Sequence, residues 1–111
     1  LMGGERFPGK VAAICDDSIV RGTQTQTNLV PKLRALGIKE IHLRISNPEL
    51  LSYCKWGQTT KKGETLSTHY PGLEDKIKYL KVEGLRYNSI HDLVEAIGLP
   101  GEQLCLDCDK E

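Results

Sequence analysis

The sequence predicts an α/β domain built on a mostly parallel sheet with flanking helices. Three observations carry that prediction. Val11-Ala-Ala-Ile14 is an apolar run of a buried strand's length that ends on two carboxylates. Ile41, Leu43 and Ile45 alternate with His42 and Arg44, the period of two of a half-buried strand. Between them Leu29, Leu33 and Leu36 recur at helical spacing. Strand, helix and strand in that succession make a βαβ unit, which joins parallel strands by a right-handed crossover.

Taken in order, residues 10–16 read as a strand, 17–24 as a loop and 24–36 as a helix that Gly37 closes as its C′ residue. Pro31 is awkward inside that helix, because it removes a hydrogen bond and crowds the preceding turn. Either the helix kinks near Thr27, or Asn28 caps a second helical segment. The second strand, 41–46, ends at Asn47-Pro48. From Asn47 to Gly72 periodicity lapses, and Pro48, Gly57, Gly63, Pro71 and Gly72 mark one long connection. Leu73, Ile77 and Leu80 share one side of a short helix over 73–80. Residues 82–87 form a strand, and Ser89 caps a helix over 90–97 that Gly98 closes. After the turn Leu99-Pro-Gly-Glu, residues 103–106 offer a fourth strand. The elements predict three layers, with helices 25–36 and 90–97 covering the sheet. A sheet edge or face left bare would favour self-association.

Composition narrows the function classes. The 111 residues suffice for one domain with a core. Fifteen basic and fifteen acidic residues cancel, so no overall field draws nucleic acid or anionic lipid. No apolar run is long enough to span a membrane. Leu1–Gly9 lacks a signal peptide's apolar segment, which gives a cytoplasmic expectation. In that setting the four cysteines read as thiols or metal ligands rather than as disulfides.

The chemistry concentrates in Cys15-Asp16-Asp17-Ser18-Ile19-Val20-Arg21-Gly22-Thr23-Gln24-Thr25. A strand that ends in acids and leads through small residues into a helix start suits a phosphorylated sugar. Backbone N–H groups and hydroxyls cradle the phosphate, and the carboxylates hold ribose hydroxyls. The run Asp-Asp-Ser-Ile-Val-Arg-Gly-Thr resembles the ribose-phosphate motif of the glutamine amidophosphoribosyltransferases, type I phosphoribosyltransferases of purine synthesis. The resemblance continues through Gly37–Pro48, Cys54-Lys-Trp-Gly57, Leu85–Gly98 and Cys105-Leu-Asp-Cys108, and weakens over 58–82.

The resemblance implies part of a type I phosphoribosyltransferase (Rossmann-like) fold, with residues 1–111 as a single domain incomplete on its N-terminal side. It implies a phosphoribosyl pyrophosphate ligand with Mg²⁺, held by Asp16, Asp17, Ser18, Ile19, Val20, Arg21, Gly22, Thr23, Gln24 and Thr25. Ammonia would displace pyrophosphate at the anomeric carbon, giving phosphoribosylamine. At positions 24 and 25 the family usually has Thr then Ser, and Gln24-Thr25 stand here. The implied partners are the small phosphoribosyl ligand and either further copies of the chain or a complementary domain. The alternative is a non-catalytic module or vestigial fragment that keeps the cradle and binds a nucleotide or sugar phosphate.

Cys105-x-x-Cys108 has the spacing of two thiolates on one metal or cluster. By the same resemblance Cys54 is a third ligand of a [4Fe–4S] centre whose fourth ligand lies outside this sequence, and Zn²⁺ is the other option for the three. Cys15, on the apolar strand, reads as a small core residue. His42, His69 and His91 are scattered without ligand spacing. Trp56 reads as an anchor of the long connection, or as an exposed ring that meets a base. Lys61-Lys62-Gly63 reads as a solvated turn. Ser18 lacks a GxSxG elbow and is no hydrolase nucleophile.

Overall fold

Three strands, β1 (Val11–Asp16), β2 (Glu40–Ile45) and β3 (Gly84–Tyr87), pair in parallel in the order β1-β2-β3. The structure, a computed structural model, describes residues 7–56 and 61–109. The register sets Ala12 beside Ile41, Ile14 beside Leu43, and Leu43 beside Leu85. Since side chains alternate across a sheet, these residues and Ile45 share one face. Ile41, Leu43 and Leu85 are buried there against Val30, Leu33 and Leu80. All the contributing helices therefore cover the same face.

The opposite face carries Val11, Ala13, Cys15, Glu40, His42, Arg44 and Arg86, of which Val11, Ala13, Cys15, Arg44 and Arg86 are exposed. Among the described residues the fold thus has two layers rather than three. The helix α4 (Ile90–Ile97) is the element that fails to cover the sheet. It begins at the Ser89 cap, whose hydroxyl accepts the Asp92 N–H at 3.0 Å, but it buries none of its residues. The bare face and the β1 edge agree with the exposure expected from the sequence.

The first helix shows how the chain handles Pro31. Residues Thr25–Leu29 form a π-turn that runs directly into α1 (Val30–Ala35), with the Val30 N–H bonded to the Thr25 carbonyl. One residue of extra slack widens the turn before Pro31 and relieves the crowding a regular helix would impose there. The helix neither breaks nor restarts at Asn28, whose side-chain amide donates to Gln24 instead. Gly37 then closes it at φ +91°, with Pro8 packed where a side chain would stand.

Three other expectations need correction. The long connection contains a helix, α2 (Leu66–His69), which Thr65 caps by accepting the Thr68 N–H. The third strand begins at Gly84, because Val82 N–H still bonds to the Ile77 carbonyl at the end of α3 (Leu73–Leu80). Residues 103–106 form no strand. Only Leu104 to Leu106 separate 3₁₀ turns at Gly101–Gln103 and Asp107–Asp109, too few for a ladder. That segment is instead tied to the long connection, the N–H groups of Leu51 and Ser52 donating to the Cys108 carbonyl.

Candidate functional site

Asp16 is the last residue of β1, and the chain leaves the sheet there. Its Oδ1 accepts the Asp17 N–H at 2.8 Å, and Asp17 Oδ1 accepts the Ser18 N–H at 2.6 Å. Each carboxylate thus turns the backbone with one oxygen and keeps the other open to solvent. The Asp17 carbonyl accepts the Asn47 N–H at 3.0 Å, which ties the loop to the end of β2.

Beyond the acids the loop encloses a cavity of about 500 Å³ lined by Asp16 and residues 18–25. The backbone N–H groups of residues 19–22 meet no acceptor among the described residues. Successive open amides at a turn attract an anion. Gly22 makes the turn possible. Its φ is +80°, and a β-carbon there would sit 3.1 Å from Leu80 and 3.2 Å from Leu66. Thr23 and Thr25 add hydroxyls at the start of the helix, where Thr27 Oγ1 donates to the Thr23 carbonyl at 2.6 Å.

The loop is held from outside by α2. Leu66 N–H donates to the Val20 carbonyl at 2.7 Å, and Arg21 Nη2 pairs with Glu64 Oε2 at 2.8 Å. The Lys61 N–H beside Glu64, helped by Arg21, keeps that carboxyl below its ordinary value of 4.5. On the far side of Arg21 lies a second cavity of about 370 Å³, bordered by His69 and by Tyr70, whose ring stacks on Tyr79 at 4.4 Å. Sequence reasoning missed α2 entirely. The one signal for it was Thr65 three residues before Thr68, a spacing that allows a hydroxyl cap.

Of the ten loop residues expected from sequence, nine border the cavity. Asp17 does not line it, and its backbone carbonyl is tied to the end of β2 by the Ser46 hydroxyl and the Asn47 N–H. Two exposed carboxylates at a strand end suit ribose hydroxyls or a Mg²⁺ ion that keeps most of its shell on phosphates and water.

The cysteines are arranged less tightly. Burial first, then the Asp109 charge, pushes the Cys108 thiol upward, and the neighbouring Cys54 and Cys105 add to this. The three therefore share a neighbourhood. A single tetrahedral Zn²⁺ needs thiolates about 3.8 Å apart, given Zn–S bonds of about 2.3 Å. Among the described residues the one set of potential ligand atoms within 4.8 Å of each other is His91, Asp92 and Glu95, all exposed. Lys55 Nζ pairs with Asp107 at 2.9 Å in the midst of the cysteine region. The trio does not form a ready zinc site. Cys15 is exposed on the bare face rather than in the core, and Trp56 is 68% exposed rather than an anchor, with Lys55 Nζ 5.8 Å from its ring.

A parallel sheet whose strand-end acids lead into an open-amide loop at a helix start defines the type I phosphoribosyltransferase class. Comparison with known proteins identifies the branch. The amidophosphoribosyltransferase of Methanothermobacter thermautotrophicus is 42% identical over 102 residues, 90% of this chain and 21% of that protein. Amidophosphoribosyltransferase 1 of Arabidopsis thaliana is 33% identical over 100 residues, 90% of this chain and 18% of that protein. The structure of the B. subtilis glutamine phosphoribosylpyrophosphate amidotransferase, complexed with ADP and GMP, superposes with a TM-score of 0.81 at 30% identity, covering 93% of this chain and 23% of that one. No protein-family profile matches. The chain is a homologue of the C-terminal phosphoribosyltransferase part of the amidophosphoribosyltransferases. It spans about a fifth of their length. Among the described residues no helix is long and apolar enough to cross a membrane.

Proposed function

We propose that residues 16–25 bind the ribose 5-phosphate portion of phosphoribosyl pyrophosphate. The observation that carries this reading is the 500 Å³ cavity bordered by Asp16 and by a loop whose amides at 19–22 lack acceptors. In this reading the 5′-phosphate accepts hydrogen bonds from those amides and from the Thr23 and Thr25 hydroxyls. Asp16 and Asp17 accept from the ribose hydroxyls, which fixes the ring relative to the phosphate. Anionic carboxylates near the ring also favour the positive charge that builds on it as a leaving group departs at the anomeric carbon. Mg²⁺, when bound, neutralises pyrophosphate charge. The relatives' names support phosphoribosyl transfer in purine biosynthesis as the reaction class, and in this reading ammonia is the nucleophile. On this reading the chain is one part of the transferase site. The remaining residues come from a longer polypeptide, or from a partner or second copy that covers the bare sheet face and the β1 edge.

Calorimetry with ribose 5-phosphate and with Mg²⁺–phosphoribosyl pyrophosphate tests the reading. Removing one hydroxyl donor and one charged acceptor in Asp17→Asn plus Thr23→Ala should weaken both ligands at least tenfold. Equal affinity in wild type and variant would move the ligand elsewhere. Turnover of glutamine and phosphoribosyl pyrophosphate by the isolated chain would refute the claim that it is only part of a site. Phosphoribosyl binding without turnover also fits a non-catalytic module, which the bare sheet face alone does not favour.

A further inference from the structure

Lys76 is 1% exposed, although a lysine is seldom buried unless its charge is matched. Its Nζ lies 2.7 Å from Glu49 Oε1 and donates to the Pro71 carbonyl at 3.0 Å. The same Glu49 oxygen accepts the Ser67 hydroxyl at 2.7 Å. Ser67 is the second residue of α2, and its neighbour Leu66 is the residue that holds the Val20 carbonyl and packs beneath Gly22. A continuous series of contacts therefore runs from α3 through Glu49 and α2 to the phosphate loop. A helix of four residues has no stability of its own, so its place is set by what grips it.

We propose that Lys76 is a positioning residue for the phosphate loop, acting through Glu49 and Ser67 on α2. The inference rests on the reading of residues 16–25 as a phosphate site, and it adds the device that keeps that site in shape. A charge pair whose ammonium is buried while its carboxylate is only partly exposed suits this task better than apolar packing. Apolar side chains tolerate sliding, whereas one charge displaced from its partner is strongly unfavourable. The pair thus admits one arrangement of α2, and through the Leu66–Val20 bond one arrangement of the loop.

Two readouts on the full chain test it: hydrogen exchange at the Leu66 amide, and ribose 5-phosphate affinity by calorimetry. Ser67→Ala leaves the Lys76–Glu49 pair intact and removes only the link to α2. It should speed Leu66 exchange roughly tenfold and weaken ribose 5-phosphate several-fold, while the Leu43 amide in β2 stays protected. Lys76→Met should do both more strongly, and Ser67→Ala added to it should change little more, because both act through Glu49. Should Lys76→Met fail to fold, Ser67→Ala alone decides. Unchanged Leu66 exchange in folded Ser67→Ala, or simple additivity of the two effects on affinity, would overturn the proposal. A wild-type chain that does not bind ribose 5-phosphate would refute the phosphate reading, while Leu66 exchange still decides whether Lys76 holds α2.

Discussion

The loop at residues 16–25 and the cysteine region are the two parts of this chain that the sequence marks as candidate ligand sites, and they are built in opposite ways. Ten consecutive residues make the loop. It starts on a strand end, finishes in a helix, and is gripped by Leu66, Glu64 and the end of β2. The cysteine region joins residues more than fifty positions apart through bonds that include those of the Leu51 and Ser52 N–H groups to the Cys108 carbonyl, of the Ser52 hydroxyl to the Asp107 carbonyl, and the exposed Lys55–Asp107 pair. A site drawn from one segment needs only its local turn to be right. A site drawn from distant segments needs the whole connection to be held, and here much of that connection lies at the surface. Because its turn is gripped on several sides, the loop is expected to be sensitive to small changes there, whereas the cysteine region, largely at the surface, is expected to tolerate them.

The largest effect should come from Gly22→Val. A β-branched residue at φ +80° is strained by about 1–2 kcal/mol. Its β-carbon would also press on Leu66 and Leu80 at 3.2 and 3.1 Å, and such overpacking costs about 1–3 kcal/mol. Urea unfolding should show a loss of about 3 kcal/mol together with loss of ribose 5-phosphate binding. Cys54→Ala and Cys105→Ala should each stay within about 0.5–1 kcal/mol of wild type. Equal losses in the two regions would erase the contrast.

A smaller effect concerns acid. Glu83 Oε2 accepts the Ile41 N–H at 2.7 Å, and its carboxylate pairs with Arg34 at 2.7 Å, fixing the start of β2 to the end of α1. Burial alone would raise this carboxyl, but Ile41 and Arg34 outweigh it and leave it below 4.5. A group lowered on folding contributes stability above its unfolded value and loses it as pH falls through its folded one. Wild type should therefore lose stability below about pH 4.5, and Glu83→Gln should flatten that limb. At neutral pH the variant should be weaker by less than about 1 kcal/mol, since both partners are a third exposed. Equally steep acid limbs would assign the loss to other carboxylates. Acid should also release Arg21 from Glu64, so ribose 5-phosphate affinity should fall over the same range.

The contrast between the regions also explains what could be read from sequence. The βαβ unit was legible because Ile41, Leu43 and Ile45 write a period of two and Leu29 and Leu33 a period of 3.6. Leu73–Leu80 and Ile90–Ile97 fall where spacing and the Ser89 cap put them. The sequence was silent where long-range contacts decide. Four residues of α2 carry no periodicity and are stabilised by the loop they grip. Lys76 reads as surface until Glu49 is brought beside it. Pro31 announces an irregularity, but whether it becomes a kink, a new cap or a π-turn depends on the packing of Val30 and Leu33. Cys15 sits in an apolar run, yet the face it occupies has no covering layer among the described residues.

The finest test of the comparison is the order in which the thiols react. Cys15 and Cys105 are exposed, whereas Cys54 and Cys108 are half-buried. Burial and the Asp109 charge also hold the Cys108 thiol above its ordinary value of 9.0, so little of it is thiolate near neutrality. Alkylation runs through the thiolate and requires access. With iodoacetamide at pH 8, followed by peptide mass mapping, Cys15 and Cys105 should be modified first and Cys108 last. Independent thiols would lose protection one at a time, and added chelator would leave the rates unchanged. A shared metal or cluster would protect Cys54, Cys105 and Cys108 together and release them together on chelation, leaving Cys15 as the fast one. Joint protection would show that the cysteine region is assembled as firmly as the loop, and the distinction between the two regions would fall.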